Sequence, residues 1–301
     1  MTTYSEVEKA RQAYHEKSKK HWTIIGAISG AILIGGFFVV GILSLFFAFF
    51  VLILGFIISN YSTRDLATAY KKTYKSHFVE QNLQKVFSDL SYSHEKGISR
   101  DFLRSTGMVN TGDHFYSNDY TSGKYKNVSF AQADAHIQVE HTDSDGNTTY
   151  VTIFKGRFMV FEFPKKFNFK LELVGKKFAA AYIPSKNAKT GRKMEKITTE
   201  STEFNQSFRI YGEDGFEAYY ILDPAFMVKL MNINEYHKGK VLFGFIDNRL
   251  IIGLSDGKDS FEPPRASLKI NESAENKKVL EDIKIITDFV DQLSLSRKLF
   301  K

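Results

Sequence analysis

The stretch "HIQVEHTDSDG" crowds metal-ligating side chains together: His136, Glu140, His141, Asp143 and Asp145 fall within ten residues. A divalent cation needs such donors to converge on one point. On a strand, successive side chains point to opposite faces, so His136 and Glu140 share one face and His141 takes the other. Asp143 and Asp145 open like a calcium loop, but the glutamate at its twelfth position and the flanking helices are absent. The expected structure is a solvated hairpin tip without a metal. "AKTGRK" has a Gly and a Lys in the manner of a phosphate loop, yet it lacks the first Gly, the GK[ST] ending and the strand-to-helix setting. Glu213, Asp214 and Glu217 offer carboxylates, but acid–base chemistry needs two groups at a defined separation, and "GEDG" reads as an ordinary turn. No nucleophile elbow, HExxH or dinucleotide fingerprint occurs. With no Cys, disulfides, thiolate catalysis and Cys-ligated metals are excluded. No catalytic residue, cofactor or metal is expected.

One polar cluster suggests binding. Lys186, Lys189, Arg192, Lys193 and Lys196 lie in the turn-rich loop "PSKNAKTGRKMEK". Basic residues at a membrane surface are attracted to anionic headgroups by about 1 kcal/mol each. Contact with the inner leaflet is one reading of this loop, and plain solvation is the other. The formal net charge of +7 does not extend to a nucleic-acid site, because elsewhere basic residues are interleaved with acidic ones.

The elements that position these residues begin with "TIIGAISGAILIGGFFVVGILSLFFAFFVLILGFIISN". This run from Thr23 to Asn60 covers 38 positions without a charge. It starts too late and runs too far for a signal peptide. One straight helix of that length would extend roughly 57 Å, against about 30 Å of hydrocarbon. Two spans, Thr23–Val40 and Leu43–Asn60 with a turn around Gly41–Ser44, fit better; a long kinked single span is the alternative. Gly26/Gly30, Ala27/Ala31, Ser44/Ala48 and Gly55/Ser59 have the small-residue spacing that lets helices approach closely. Lys9, Arg11, Lys17, Lys19 and Lys20 precede the run, while Arg64, Lys71, Lys72 and Lys75 follow it. Basic flanks at both ends place both in the cytoplasm, which requires an even number of spans.

Thr3 stands three residues before Glu6, a capping-box spacing that predicts a short helix ahead of the spans. Leu66, Tyr70, Tyr74, Phe78, Val86 and Leu90 predict a helix leaving the second span, its apolar stripe covered by the rest of the chain or by a partner. Between Ser91 and Asn127, Gly, Ser, Thr and Asn predict loops and short edge elements. Strands follow: "ADAHIQVEH" alternates with Ala133, Ala135, Ile137 and Val139 inward and Asp134 outward. A hairpin turns at Asp145-Gly146, and "YVTIFKGRFMVFEF" returns as one or two strands. Further strands are expected at Phe169–Val174, Phe178–Ile183 and Ser207–Tyr211. Asp223 and Pro224 predict a capped helix start, with Leu222 stapling onto Met227. A second hairpin turns at Asp247-Asn248. Val279, Ile283, Ile286, Val290 and Leu293 predict an amphipathic C-terminal helix. The fold class is α+β, a transmembrane helical hairpin followed by a mainly antiparallel sheet with a few helices. The expected divisions are an N-terminal helix (1–22), the hairpin (23–60), a juxtamembrane helix and linker (61–112), a globular domain (113–270) and the C-terminal helix (271–301).

"YTSGKYKNVSFAQADAHIQ", "TIFKGRFMVFEFPKKF", "FRIYGEDGFEAYYILDPAFMVKL" and "FIDNRLIIGLSDGKDSFEPP" occur in an order that resembles the bacterial domain of unknown function 3137 (DUF3137) family, over roughly Phe115 to Pro264. The motif positions are Tyr211, Gly212, Asp214, Glu217, Tyr220, Pro224, Phe261 and Pro263. The chain departs from the family in having Ala133-Asp134 in place of Ser-Glu, and Tyr219 in place of Arg. The resemblance implies a bacterial inner-membrane protein, some members being encoded beside LemA-type membrane proteins, and supplies no activity. Residues Tyr211, Phe216, Tyr219, Tyr220 and Ile221 read as core anchors, and Phe261 with Pro263-Pro264 as a strand-end plug. The expected function is a membrane-anchored, cytosol-facing interaction or scaffold module without enzymatic activity. Its partners would be the lipid bilayer and a second membrane protein of the LemA type, with no nucleic acid and no oligomeric state implied. A ligand or lipid sensor is the alternative, and an enzyme of unfamiliar type the third.

Overall fold

The computed structural model describes residues 2–164, 166–181, 186–187, 190–293 and 295. The chain divides into two compact units, Met1–Asn82 with Glu262–Val279, and Leu83–Phe261 with Leu280–Lys301.

In the first unit, helix α1 (Tyr4–Val40) starts at the expected capping box. The Glu6 amide donates to the Thr3 hydroxyl at 3.3 Å, and the Thr3 amide donates to the Glu6 carboxylate at 2.7 Å. The helix continues without a break through the first apolar segment and ends at Gly41, whose φ of +58° suits a residue without Cβ. Helix α2 (Leu43–Tyr74) begins two residues later, and the Ser44 hydroxyl closes the turn on the Gly41 carbonyl at 2.8 Å. The helices run antiparallel: Trp22 lies 6.3 Å from Phe56 between ring centroids, and Lys17 donates to the Ser62 carbonyl.

Ser44, Ala48, Gly55, Ser59 and Thr63 form the buried stripe of α2. A Cβ on Gly55 would sit 2.7 Å from Ile25, so only a residue without a side chain allows this approach. The Gly26/Gly30 pair does not contribute, because nothing lies within 4 Å of either Cβ position. With 3.6 residues per turn, Ile25, Ser29 and Gly36 face α2 and Gly26 and Gly30 turn away.

Past Tyr74 the helix widens into a π turn (Lys75–Glu80) and closes as α3 (Gln81–Val86). It stops short of Leu90, which belongs to a strand. Tyr70, Tyr74 and Phe78 are buried, and the chain's own segment 262–279 meets the two tyrosines. Tyr70 donates to the Pro264 carbonyl at 3.0 Å and Tyr74 to Glu275 at 2.6 Å. From α1, Tyr4 reaches the Ile270 carbonyl and Arg11 the Ala266 carbonyl.

In the second unit, nine strands form one antiparallel sheet among the described residues. They are β1 (Ser88–Ser93), β2 (His114–Tyr125), β3 (Val128–Thr142), β4 (Thr148–Glu162), β5 (Leu171–Gly175), β6 (Glu195–Ile197), β7 (Phe208–Gly212), β8 (Val241–Ile246) and β9 (Arg249–Leu254). The order is β1-β2-β3-β4-β9-β8-β5-β7-β6. The hairpin turns at Gly146 and Asp247 lie where expected.

The strand register separates two faces. Phe130, Met159, Ile252, Phe243 and Leu173 share one, which helices α5 (Thr202–Ser207), α7 (Pro224–Tyr236) and α8 (Glu272–Leu293) cover through Phe204–Phe208, Phe226–Phe245 and Phe289–Phe243 ring contacts. Ala133, Phe158, Ile251 and Val174 share the other with Leu103 of α4 (Arg100–Thr106), Met108 and Phe178. The expected stripe Val279, Ile283, Ile286, Val290 and Leu293 is buried along α8.

Three expectations about the sheet strands are corrected. The 91–127 region holds the twelve-residue strand β2, whose buried Asn118, Asp119 and Thr121 hide it from hydrophobic patterning. Asp134 is buried and paired with Arg157 rather than facing water. Phe178–Ala181 forms no strand beyond a single bridge from Ala181 to Val109, and residues 182 and 183 lie outside the described residues.

Gly156 in β4 has φ +151°, and a Cβ there would lie 2.0 Å from the Leu254 carbonyl oxygen of β9. Gly156→Ala is expected to cost about 1–3 kcal/mol, the usual range for forced overpacking. Gly215→Ala, with nothing within 4 Å, should change stability by less. Thermal unfolding of both variants in detergent checks the contrast.

Candidate functional site

The donors of "HIQVEHTDSDG" do not come together. His136 lies 2.9 Å from the Thr152 hydroxyl, and Glu140 is 3.9 Å from His114. Asp143 accepts the amides of Asp145 at 3.0 Å and Asn147 at 2.8 Å, so its carboxylate closes the hairpin tip. From Glu140 to Thr152 every residue is exposed, which makes the end of the β3–β4 hairpin a ribbon bare on both faces.

The basic loop and the acidic turn, by contrast, are brought together. Glu213 leads into α6 (Gly215–Ile221), and its carboxylate holds Asn187, Thr190 at 3.3 Å and Arg192 at 3.7 Å. Asn187, Met194 and Ile197 are buried and pin the loop, while Lys186, Arg192, Lys193 and Lys196 are exposed. Lys196 sits in β6 opposite Tyr211 of β7. Lys189 lies outside the described residues.

Among the motif positions, Tyr211 is buried, and Gly212 leaves room for Ile197, which would be 2.5 Å from a Cβ. Asp214 caps α6 by accepting the Phe216 amide at 2.8 Å. Glu217 lies in α6, with its side chain outside the description. Asp223 caps α7 by accepting the Phe226 amide at 2.9 Å, with Pro224 at the first helical position as expected.

The expected core role of the α6 aromatics is overturned. Phe216 is 86% exposed, Tyr219 47% and Tyr220 64%. On this short helix the inward face is taken by Ala218 and Ile221, and the i, i+3, i+4 spacing puts the three rings together on the outside. Tyr219 is steered by a hydrogen bond from its hydroxyl to the Thr198 carbonyl at 3.0 Å.

Phe261 is fully buried, as a plug should be, with φ +62° and the Arg157 guanidinium 5.2 Å from its ring centroid. Arg157 also meets Asp134 at 3.2 Å and the Asp282 carbonyl at 2.8 Å, while the Ser260 amide donates to Asp134 at 2.5 Å. Burial pushes the Asp134 carboxyl up to about 6 despite Arg157. In the first unit, Pro263 is half-buried and Glu262 meets Lys71 and Lys75 at 2.8 Å each. Burial raises that carboxyl, but the two lysines outweigh it and hold the group below its ordinary value.

Two features were beyond sequence reasoning. Lys170 and Glu172 form an ion pair at 2.5 Å with both side chains fully buried, and burial pushes the Glu172 carboxyl up to about 7. Their i, i+2 spacing across the start of β5 was the available signal. The second is a groove of about 340 Å³ across β1–β4, lined by Tyr120, Lys124, Phe130, Val160 and Glu162. Its residues come from separate strands, so no local pattern marks it.

Residues 152–295 match the model of the family described as Protein of unknown function (DUF3137), and the family read from the motifs is the family of this segment. The matched range starts in β4, downstream of α1 and α2. A search of curated proteins finds no match. A crystal structure of the mycobacterial trehalose monomycolate transport factor A, TtfA, is similar at a TM-score of 0.38 and 9% identity, over 74% of this chain and 94% of that one. A likeness this slight carries no functional weight.

The buried pair yields a test. Lys170→Met leaves Glu172 buried without its counter-charge and should cost about 3–5 kcal/mol, whereas Lys170→Met with Glu172→Met should recover most of the loss. Because Glu172 binds its proton more tightly folded (about 7) than at its ordinary value of 4.5, it destabilises the fold at and above neutral pH, and that penalty is relieved as pH falls from about 7 towards 4.5. The double variant should lack this part of the stability gain. Unfolding temperatures across that pH window check both outcomes.

Proposed function

From a DUF3137 segment joined to two helices of membrane-spanning length, we propose that this protein is a membrane-anchored, cytosol-facing interaction module that carries no enzymatic activity. The observation that carries the anchor is the outer surface of the hairpin. Ile34, Phe38, Val39, Ile42 and Phe46 are each more than two-thirds exposed, on helices that already pack against one another. Water is a poor solvent for such a surface, and hydrocarbon is a good one. The eighteen residues from Thr23 to Val40 rise about 27 Å, close to the thickness of the hydrocarbon core. A two-residue turn and basic flanks at both ends favour two spans with both termini in the cytoplasm.

The interaction reading draws on the β3–β4 ribbon. An isolated two-stranded ribbon is marginally stable in water, and a protein partner would cover its bare faces. The family resemblance suggests a second membrane protein of the LemA type. A ligand sensor is the second reading, and the groove across β1–β4 favours it.

Since the chain has no native Cys, single cysteines report topology cleanly. Ile42→Cys should react with a membrane-impermeant maleimide in intact cells, while Lys258→Cys should react only after permeabilisation. The reverse pattern, or reaction of both from outside, contradicts the orientation. In mild detergent the wild-type chain should co-purify with a membrane protein, and deleting residues 142–149 should abolish this. A chain that runs alone in several detergents contradicts the interaction reading.

A further inference from the structure

The aromatics of α6 and the basic loop form one surface. Phe216, Tyr219 and Tyr220 project from a single helical face. Glu213, two residues before that helix, binds Asn187, Thr190 and Arg192, so the loop is pinned to the segment that enters α6. Between residues 186 and 196 the described exposed charges are Lys186, Arg192, Lys193 and Lys196 against the single acid Glu195, which lies 3.4 Å from Lys193. Of the nearby described carboxylates, that of Glu213 is buried against the loop, and that of Asp214 caps α6.

Exposed aromatic rings on a helix whose entry segment holds a cationic loop suit one environment above others. Phe and Tyr settle at the boundary between headgroups and acyl chains, and Lys and Arg are drawn to anionic headgroups there. We infer that α6 and the basic loop form a second membrane contact, in which Phe216, Tyr219 and Tyr220 enter the headgroup region of an anionic bilayer. The inference rests on the anchored reading, because the hairpin keeps the bilayer within reach. Tethering turns a weak surface contact into an intramolecular event at high effective concentration. A water-soluble version of this surface would bind lipid feebly; the anchored one need only tip a local equilibrium. The exposed rings Phe216, Tyr219 and Tyr220 then have a physical use that core packing does not provide.

The test uses the full chain in vesicles of phosphatidylcholine and phosphatidylglycerol. Trp22 is the sole native tryptophan, so Trp22→Phe with Phe216→Trp places one reporter on α6 at an exposed, tolerant position. Its emission should be blue-shifted, and phosphatidylcholine brominated in the upper acyl chain should quench it. Adding Arg192→Glu and Lys193→Glu should reduce quenching, since each lost cation lowers the docked fraction about fivefold in the regime of weak docking. Flotation of the same vesicles reports the anchor independently. A chain that floats while the α6 reporter is water-exposed and unquenched overturns the contact and leaves the anchor standing. A chain that does not float overturns the anchor and the contact with it. A blue-shifted reporter that the brominated lipid does not quench indicates a protein cover, including a second copy, and also overturns the lipid contact.

Discussion

The rest of the structure depends on how 38 consecutive uncharged residues are kept from water. Two helices can bury only the stripe they share, and here that stripe is narrow: Ser44, Ala48, Gly55, Ser59 and Thr63 on one helix against Ile25, Ser29 and Gly36 on the other. Small residues bring the backbones close, which leaves most Phe, Leu and Ile side chains pointing outward. This is the inverse of a water-soluble hairpin, where the largest apolar residues line the contact. Beyond the apolar section the logic returns to that of water. Tyr70, Tyr74 and Phe78 are buried, and Glu262 is held between Lys71 and Lys75.

The sheet unit follows ordinary globular rules, and two buried ion pairs are costly departures from them. Its faces are filled by Phe, Ile and Leu, and its caps are local and satisfied, as at Asp214 and Asp223. Against that background Asp134–Arg157 and Lys170–Glu172 place four ionisable groups in the interior. Burying them costs desolvation that attraction only partly offsets, which is why both carboxyls sit above their ordinary values. Asp134 and Arg157 gain in return a fixed position for the segment at Ser260 and Phe261.

Much of the fold was legible because its signals are local. The capping box at Thr3, the turn at Gly41, the cap and proline at Asp223-Pro224, both hairpin turns and the α8 stripe all rest on residues within one or two turns of each other. What was misread depends on distant partners. Strand β2 looks like a loop because its buried polar residues are satisfied by neighbours such as Tyr92, whose hydroxyl donates to Asp119 at 2.6 Å. Gly26 and Gly30 carry the right spacing on the wrong face, a rotation that the short motif cannot specify. The α6 aromatics read as core anchors because aromatics usually mark packing, yet Ala218 and Ile221 occupy the inward face of that turn. For the candidate site, the cations were readable from the loop, whereas the anchoring of that loop on Glu213 and the exposure of the α6 rings required the fold.

The central claim is that Thr23 to Asn60 crosses a bilayer twice, and nitroxide depth profiling tests it most directly. The Cys-free chain accepts single spin labels along the run, and collision with oxygen against a water-soluble nickel reagent reports the depth of each. The account predicts two maxima of depth, within α1 and within α2, separated by a return to the surface at residues 41–44. A single maximum across the run, or nickel accessibility throughout it, would contradict it.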